Sequence, residues 1–169
     1  MPEQAGRIES FPVLYKKSLT KEQALQKLRH YCGYQERCHQ EVKEKLYSLG
    51  VRKAQHDEIV STLIEENYLN EERFAIAFAG GKWRLKHWGR VKIRYELKQK
   101  KVSEYCIKKA LKQIDEKEYL STSQKIAEER YASLKSEQWL VRKKKTMDYL
   151  VMRGFEHEFI NQVVAGFKL

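Results

Sequence analysis

Proline, glycine and cysteine are scarce in this sequence of 169 residues. It has two prolines, neither beyond position 12, eight glycines and three cysteines. Proline and glycine interrupt helices, so their scarcity, with an abundance of Lys, Glu, Leu and Gln, predicts an almost entirely helical chain. An odd number of cysteines without CxxC spacing argues against a disulfide framework and indicates a cytoplasmic, reducing environment.

Long apolar runs are also missing. No stretch approaches the roughly 20 apolar residues of a membrane span, and the first 19 residues lack the apolar segment of a secretory signal. We therefore expect no membrane partner. We find no glycine-rich phosphate loop, catalytic trio or metal signature, which predicts a protein that is not an enzyme and uses neither a cofactor nor a small-molecule substrate.

The positive charge is concentrated in one part of the chain. The sequence carries 34 Lys and Arg against 23 Asp and Glu, a net charge of +11. Residues 1–81 are neutral overall, residues 82–109 carry a net charge of +9, and residues 110–169 carry +2. We therefore expect an anionic partner that binds near residues 82–109.

Three ten-residue stretches recur at intervals of about 50 residues. They are VKEKLYSLGV, IRYELKQKKV and TMDYLVMRGF, each with Leu at the fifth position and an apolar residue at the tenth. Each lies between two amphipathic runs, which predicts an all-α fold of three tandem three-helix repeats that form an elongated, curved body. The predicted divisions are an N-terminal arm at 1–19 and repeats at 20–67, 68–116 and 117–169.

Local signals place several helix starts and faces. Thr20 with Gln23 forms a capping box, and Asn70 is a good N-cap for the next repeat. Helical spacing predicts two apolar faces that point to the core. The first consists of Leu25, Leu28 and Cys32, and the second consists of Phe74, Ala77, Phe78 and Gly81.

Two linked motifs then resemble the RecX family of recombinase regulators. The stretch YLNEERFA is followed about fifteen residues later by WGRVKIRYELKQKKV, and the likeness extends over roughly residues 20–166. The matching positions are Tyr68, Leu69, Asn70, Glu71, Glu72, Arg73, Phe74, Ala75, Gly89, Ile93, Glu96, Leu97 and Lys100. Lys92 stands where the family usually has Arg. Lys101 stands where a C-capping Gly is usual, at a cost of about 1 kcal/mol if its backbone is left-handed.

A basic stripe is predicted on the second repeat. With Ile93 and Leu97 towards the core, a helical wheel places Arg90, Arg94, Lys98 and Lys101 along one flank. The same wheel places Trp88, Val91 and Tyr95 on the outer face. The predicted binding surface comprises Lys82, Arg84, Lys86, Trp88, Arg90, Lys92, Arg94, Tyr95, Lys98 and Lys101. A secondary basic patch comprises Arg142, Lys143, Lys144 and Lys145. The alternative for both surfaces is a solvated helix flank.

Four potential zinc ligands lie within ten residues: His30, Cys32, Cys38 and His39. Cys38 and His39 are adjacent and cannot easily bind one tetrahedral ion. Cys32 fits the apolar face of its helix. We therefore interpret this cluster as structural and expect no bound metal.

The resemblance implies a non-enzymatic regulator in DNA repair and the SOS response. RecX-like proteins lie in the groove of the RecA filament on single-stranded DNA, where inhibition of recombination is the expected outcome and assistance would use the same surface. A direct nucleic-acid-binding protein without a protein partner is the first alternative. A helical adaptor for an unrelated acidic protein is the second.

Overall fold

The structure, a computed structural model, describes residues 19–167, which form nine α-helices and no β-strand. The all-α prediction is confirmed. The predicted N-terminal arm, apart from Leu19, lies outside the described residues. The helices are α1 (Lys21–Tyr34), α2 (His39–Ser48), α3 (His56–Glu65), α4 (Glu71–Lys86), α5 (Arg90–Gln99), α6 (Glu104–Lys112), α7 (Glu116–Ser133), α8 (Trp139–Arg153) and α9 (His157–Ala165). Among these nine helices, none is long and apolar enough to cross a membrane.

The helices pack in three successive groups of three, namely α1–α3, α4–α6 and α7–α9, which we call the first, second and third units. The first unit begins with the predicted capping box: the backbone N–H of Gln23 donates to Thr20 Oγ1, and the backbone N–H of Thr20 donates to Gln23 Oε1. A short 3-10 turn at Lys53–Gln55 precedes α3 and lengthens the last connection of this unit.

The second unit shows that one predicted core face was wrong. Asn70 caps α4 as expected, since its Oδ1 accepts from the backbone N–H of Arg73 at 2.9 Å. The buried face of α4, however, consists of Phe74, Ala75, Ala79 and Trp83. Of the predicted set only Phe74 is buried, while Ala77 is exposed and Phe78 and Gly81 are half-buried. Packing of α4 along α6 selects the small Ala face, which allows close approach.

The repeated motif occupies the same place in every unit. Leu46, Leu97 and Leu150 are fully buried. The chain then adopts the left-handed conformation in all three units, with φ of 70° at Gly50, 58° at Lys101 and 83° at Gly154. Lys101 therefore has the strained backbone that its sequence position predicts.

Contacts between units join the first to the second and the second to the third. At the first junction, Arg73 Nε lies 2.7 Å from Glu36 Oε1, and Lys100 Nζ lies 2.7 Å from Glu41 Oε1. Cys38, at the start of α2, is buried in the apolar core that the second and third units share. The rest of the first unit has a core of its own. The units thus follow one another in a linear order, as expected of a repeat protein.

The second junction is a close backbone contact between the start of α5 and the end of α8. The backbone N–H groups of Gly89 and Val91 donate to the carbonyls of Arg153 and Gly154 at 2.8 and 3.0 Å. A Cβ atom on Gly89 would lie 2.1 Å from the carbonyl oxygen of Gly154. A Cβ atom on Gly154 would lie 2.2 Å from the Cβ of Lys92. Both glycines are therefore required for the two units to approach this closely.

Candidate binding surface of the second unit

Two of the four residues of the predicted basic stripe, Arg94 and Lys98, lie on the exposed flank of α5 and pair with the same carboxylate. Arg94 and Lys98 lie 3.2 and 3.3 Å from the two carboxylate oxygens of Glu104, at the start of α6. Beside them Tyr95 is 60% exposed and Val91 is 52% exposed, as the helical wheel predicts. Lys101, at the left-handed end of this helix, is also exposed. These residues form an accessible polar and aromatic face, which we call the α5 outer face.

Arg90 does not belong to an exposed stripe, and its predicted exposure was wrong. Its side chain is only 21% exposed and lies between the second and third units. The guanidinium contacts Glu116 at 2.5 Å, lies 3.8 Å from Glu156 and covers the Tyr119 ring with its central carbon 4.1 Å from the ring centre. The helical wheel placed Arg90 on the correct flank, but the third unit packs over the first turn of that flank.

Tyr119 is the centre of this junction, and no sequence motif predicts that role. Its ring is buried between Trp83 and Phe155, at centroid distances of 4.8 and 5.9 Å. Its hydroxyl donates to Glu156 Oε2 at 2.5 Å and accepts from the backbone N–H of Arg90 at 3.2 Å. Burial raises the pKa of Tyr119, and the hydrogen bond to Glu156 raises it further, so the hydroxyl remains a donor. Only the meeting of two units reveals this role.

Trp88 is half-buried and packs against the shared core, so the prediction that it points away from the core was wrong. Three ammonium groups surround its ring: the Nζ atoms of Lys92, Lys82 and Lys86 lie 4.6, 4.9 and 5.8 Å from the ring centre. Among residues 19–167, no carboxylate lies within 4.0 Å of these three Nζ atoms. Trp88 therefore lies beneath positive charge that no described carboxylate neutralises.

A groove extends along α4 from Lys82 and Lys86 towards the first junction. Its volume is about 510 Å³, and its apolar lining includes the residues that the sequence assigned to the core, Phe74, Ala77, Phe78 and Gly81. Leu85, 84% exposed, continues the apolar lining. Lys82, Lys86 and Lys100 supply positive charge, while Glu41 and Glu96 supply negative charge. Lys82 joins the two features, because its Nζ is 5.1 Å from the Phe78 ring centre as well as near Trp88. Arg84 is exposed and extends back along its helix over Gly80.

The secondary patch on α8 is engaged with neighbouring groups. Arg142 lies 3.9 Å from the ring centre of Tyr131, and Lys143 lies 5.0 Å from that of Trp139. The other two members have carboxylate partners: Lys144 lies 3.2 Å from Asp148, and Lys145 pairs with Glu137. Because two of its four cations are neutralised, this patch is a weaker candidate for an anion than the Trp88 region.

The His and Cys residues near α2 do not form a common cluster. Cys32 is buried in the core of the first unit, whereas Cys38 is buried in the core of the second and third units. Among the residues that the structure describes, no group of three or more His, Cys, Asp or Glu side chains is placed to hold a metal ion. Burial raises the pKa of the Cys32 thiol to about 11, which favours the neutral thiol of a core residue over a metal-binding thiolate.

Comparison with known sequences finds the same family in two parts of the chain. The domain described as "RecX, second three-helix domain" matches residues 70–111, and "RecX, third three-helix domain" matches residues 116–164. The regulatory protein RecX of Prosthecochloris aestuarii is 33% identical over 143 residues, which cover 83% of this chain and 91% of that protein. That of Bacillus cytotoxicus is 28% identical over 153 residues, 90% of this chain and 56% of the relative.

The chain spans little more than half the length of some relatives. The Clostridium perfringens regulatory protein RecX is 32% identical over 126 residues, which cover 73% of this chain and 58% of that protein. Among solved structures, RecX from Lactobacillus salivarius superposes with a TM-score of 0.77 at 21% identity, covering 86% of this chain and 94% of the other. Another crystal structure of a regulatory protein RecX superposes with a TM-score of 0.78 at 20% identity, covering 85% of this chain and 72% of the other. These two structures have the same fold as this chain.

Proposed function

This chain belongs to the RecX family, and on that premise we propose that it is a non-enzymatic regulator that binds the RecA filament on single-stranded DNA and inhibits recombination in DNA repair and the SOS response. The linear order of the three units supports the proposal, because a long partner needs a long complementary surface. The net charge of +9 over residues 82–109 supports an anionic target.

One observation carries the assignment of a protein contact: the α5 outer face exposes aromatic and apolar side chains beside cations. Tyr95 and Val91 are each more than half exposed, and Arg94 and Lys98 lie next to them. Tyr and Arg are enriched at the centres of protein interfaces, where a ring supplies apolar area and a guanidinium binds carboxylates. We assign this face to an acidic surface of the recombinase.

The test compares two pairs of charge changes. Arg94→Gln with Lys98→Gln should weaken binding to RecA-coated single-stranded DNA by about tenfold or more, at roughly 1 kcal/mol for each lost charge contact. The control is Lys21→Gln with Lys43→Gln, which removes two ion-paired cations from the first unit. We would measure both affinity and the rate at which filaments shorten. Equal losses of affinity for RecA-coated single-stranded DNA in the two double variants would contradict this assignment.

Direct nucleic-acid binding is the second candidate, and the unneutralised lysines around Trp88 favour it. A salt series on bare and RecA-coated single-stranded DNA separates the two functions, because counterion release weakens phosphate contacts steeply with salt. A filament regulator should bind the coated strand more tightly at moderate salt. Equal affinity for both forms would favour the simple nucleic-acid binder.

The non-enzymatic part of the proposal has its own test. Purified protein should hydrolyse neither ATP nor DNA. Hydrolysis that copurifies with the chain and disappears on changing one of its residues would contradict this part of the proposal.

A further inference from the structure

The second unit has two cationic faces that differ in how their charge is neutralised. On the α5 outer face, Arg94 and Lys98 share the carboxylate of Glu104 at 3.2 and 3.3 Å. Around Trp88, Lys82 and Lys86 have no carboxylate of residues 19–167 within 4.0 Å. An anion that approaches the first face competes with an existing ion pair. At the second face it competes with ammonium–ring contacts and with a hydrogen bond of 3.4 Å from Lys92 Nζ to the Met152 carbonyl, and with no ion pair that the structure describes.

We propose that the face of α4 that continues to Trp88 and Lys92 is a binding site for single-stranded nucleic acid. We call it the α4 face, and it consists of Phe78, Lys82, Leu85, Lys86, Trp88 and Lys92. The ammonium groups bind backbone phosphates, and the rings of Phe78 and Trp88 pack against bases. This proposal rests on the proposed function and deepens it, because it assigns the DNA strand and the recombinase to different faces of one unit.

The spacing along α4 suits a strand. Phe78, Lys82 and Lys86 recur at intervals of four residues, which places them in one row along the helix surface. The row extends over eight residues, about 12 Å at 1.5 Å per residue. That length matches about three nucleotides at the 3.4 Å spacing of a stacked strand. Gly81 and Ala77 keep the groove of about 510 Å³ open beside the row.

The rings favour a single strand over a duplex. Aromatic side chains bind single-stranded nucleic acid because every unpaired base offers a face for stacking, whereas the bases of a duplex are already stacked. The Nζ atoms of Lys82 and Lys92 now lie 4.9 and 4.6 Å from the Trp88 ring centre. When these ammonium groups turn to phosphates, the accessible part of the ring becomes available to a base. Lys100 takes no part in the site, because Glu41 already holds its Nζ at 2.7 Å.

The first experiment measures the salt dependence of binding to a bare single-stranded oligonucleotide. Lys82→Gln with Lys86→Gln and Lys92→Gln should lower the slope of log affinity against log salt by about 2, as expected for three lost contacts to a single strand. The matched control is Arg94→Gln with Lys98→Gln and Lys101→Gln, which removes the same charge from the same unit. The control should retain nearly the parent slope. Equal slope changes in the two triple variants would overturn the proposal.

Tryptophan fluorescence gives a second measurement that does not depend on charge. Trp83 is buried, so Trp88 is the tryptophan of the second unit that a base can reach. The oligonucleotide should quench the fluorescence of the parent and of Trp139→Phe, whereas Trp88→Phe should lose most of the quenching. Unchanged quenching in Trp88→Phe would overturn base packing on this ring. Circular dichroism checks that each variant folds, and Lys82→Gln with Lys86→Gln replaces the triple variant if Lys92→Gln disturbs the second junction.

Three further comparisons separate this site from other anionic ligands and from the proposed function. A duplex of the same sequence should bind more weakly than the single strand and quench less. Tighter binding of polyglutamate than of the oligonucleotide at equal salt would assign the face to an acidic protein and overturn the proposal. If the lysine variant loses control of RecA filaments yet binds the bare strand like the parent, the α4 site is refuted while the proposed function stands.

Discussion

Replacing Gly154 by Ala tests how the second and third units are joined. The added Cβ atom would lie 2.2 Å from the Cβ of Lys92 and 2.6 Å from its backbone nitrogen. Neither atom is the flexible end of a side chain, so the start of α5 must move away from the end of α8. The hydrogen bond from the backbone N–H of Val91 to the Gly154 carbonyl, now 3.0 Å long, would be strained by that movement.

Two effects should lower the free energy of unfolding of Gly154→Ala. Ala in the left-handed conformation, where φ is now 83°, costs about 1 kcal/mol relative to Gly. Forcing an extra methyl group into a packed contact costs about 1–3 kcal/mol more. The free energy of unfolding should therefore fall by about 2–4 kcal/mol, which corresponds to a fall in Tm of roughly 4–16 °C for a chain of this size.

Gly50→Ala is the matched control, because it isolates the backbone part. Gly50 has the same left-handed conformation, with φ of 70°, but an added Cβ would have no neighbour within 4 Å. Its replacement should lower stability by about 1 kcal/mol, or Tm by roughly 2–4 °C. Thermal unfolding followed by circular dichroism compares the two. Equal losses at Gly50 and Gly154 would show that the close junction does not limit stability and would refute the argument.

Four other outcomes are expected. Lys101→Gly should raise the free energy of unfolding by up to about 1 kcal/mol in urea titrations, because it removes left-handed strain. Leu97→Ala should remove about 2–5 kcal/mol of core packing and lower the Tm, since Leu97 is fully buried. A thiol reagent at pH 8 should modify Cys32 much more slowly in the folded protein than in urea, because its side chain is buried and burial raises its pKa to about 11. The hydrogen bond from Arg90 lowers the pKa of Glu116 in the folded protein. The stability that this pair contributes should therefore be lost as the pH falls from about 4.3, the pKa of an unfolded Glu, through the lower pKa of the folded state. The Tm of Glu116→Gln should depend less on acid pH than that of the parent.

The number of cations in the second unit is a poor guide to which of them are available to a partner. Arg90 and Arg94 lie one helical turn apart, yet Arg90 is held by Glu116 and Glu156 of the third unit, whereas Arg94 pairs with Glu104 on the surface. A net charge explains long-range attraction to an anion, because that attraction depends on the sum of the charges. Binding at short range depends on which charges already have partners.

Much of the fold follows from the sequence alone. The 50-residue recurrence places Leu46, Leu97 and Leu150 at equivalent buried positions, because helical periodicity and spacing are local properties of the chain. The caps at Thr20 and Asn70 are local as well, since each joins groups three residues apart. The left-handed position at Lys101 was expected from the C-capping Gly that is usual there in the RecX family, and Gly50 and Gly154 occupy the same position in the other two units.

Tertiary structure alone decided which face of α4 is covered and which side chains meet at the second junction. Phe78 and Gly81 have the helical spacing of a core stripe, but α4 packs on α6 through Ala75 and Ala79 and leaves that stripe to line a groove. Tyr119 carries no motif, and its role arises because the third unit brings Glu156 to its hydroxyl. Helical periodicity locates the apolar face of a helix only to within a broad arc of the helix surface. The side chains that meet at a junction between units are distant in sequence, so no local pattern identifies them. The number and order of the helices are therefore local information, whereas the binding surface is what remains after the units have packed.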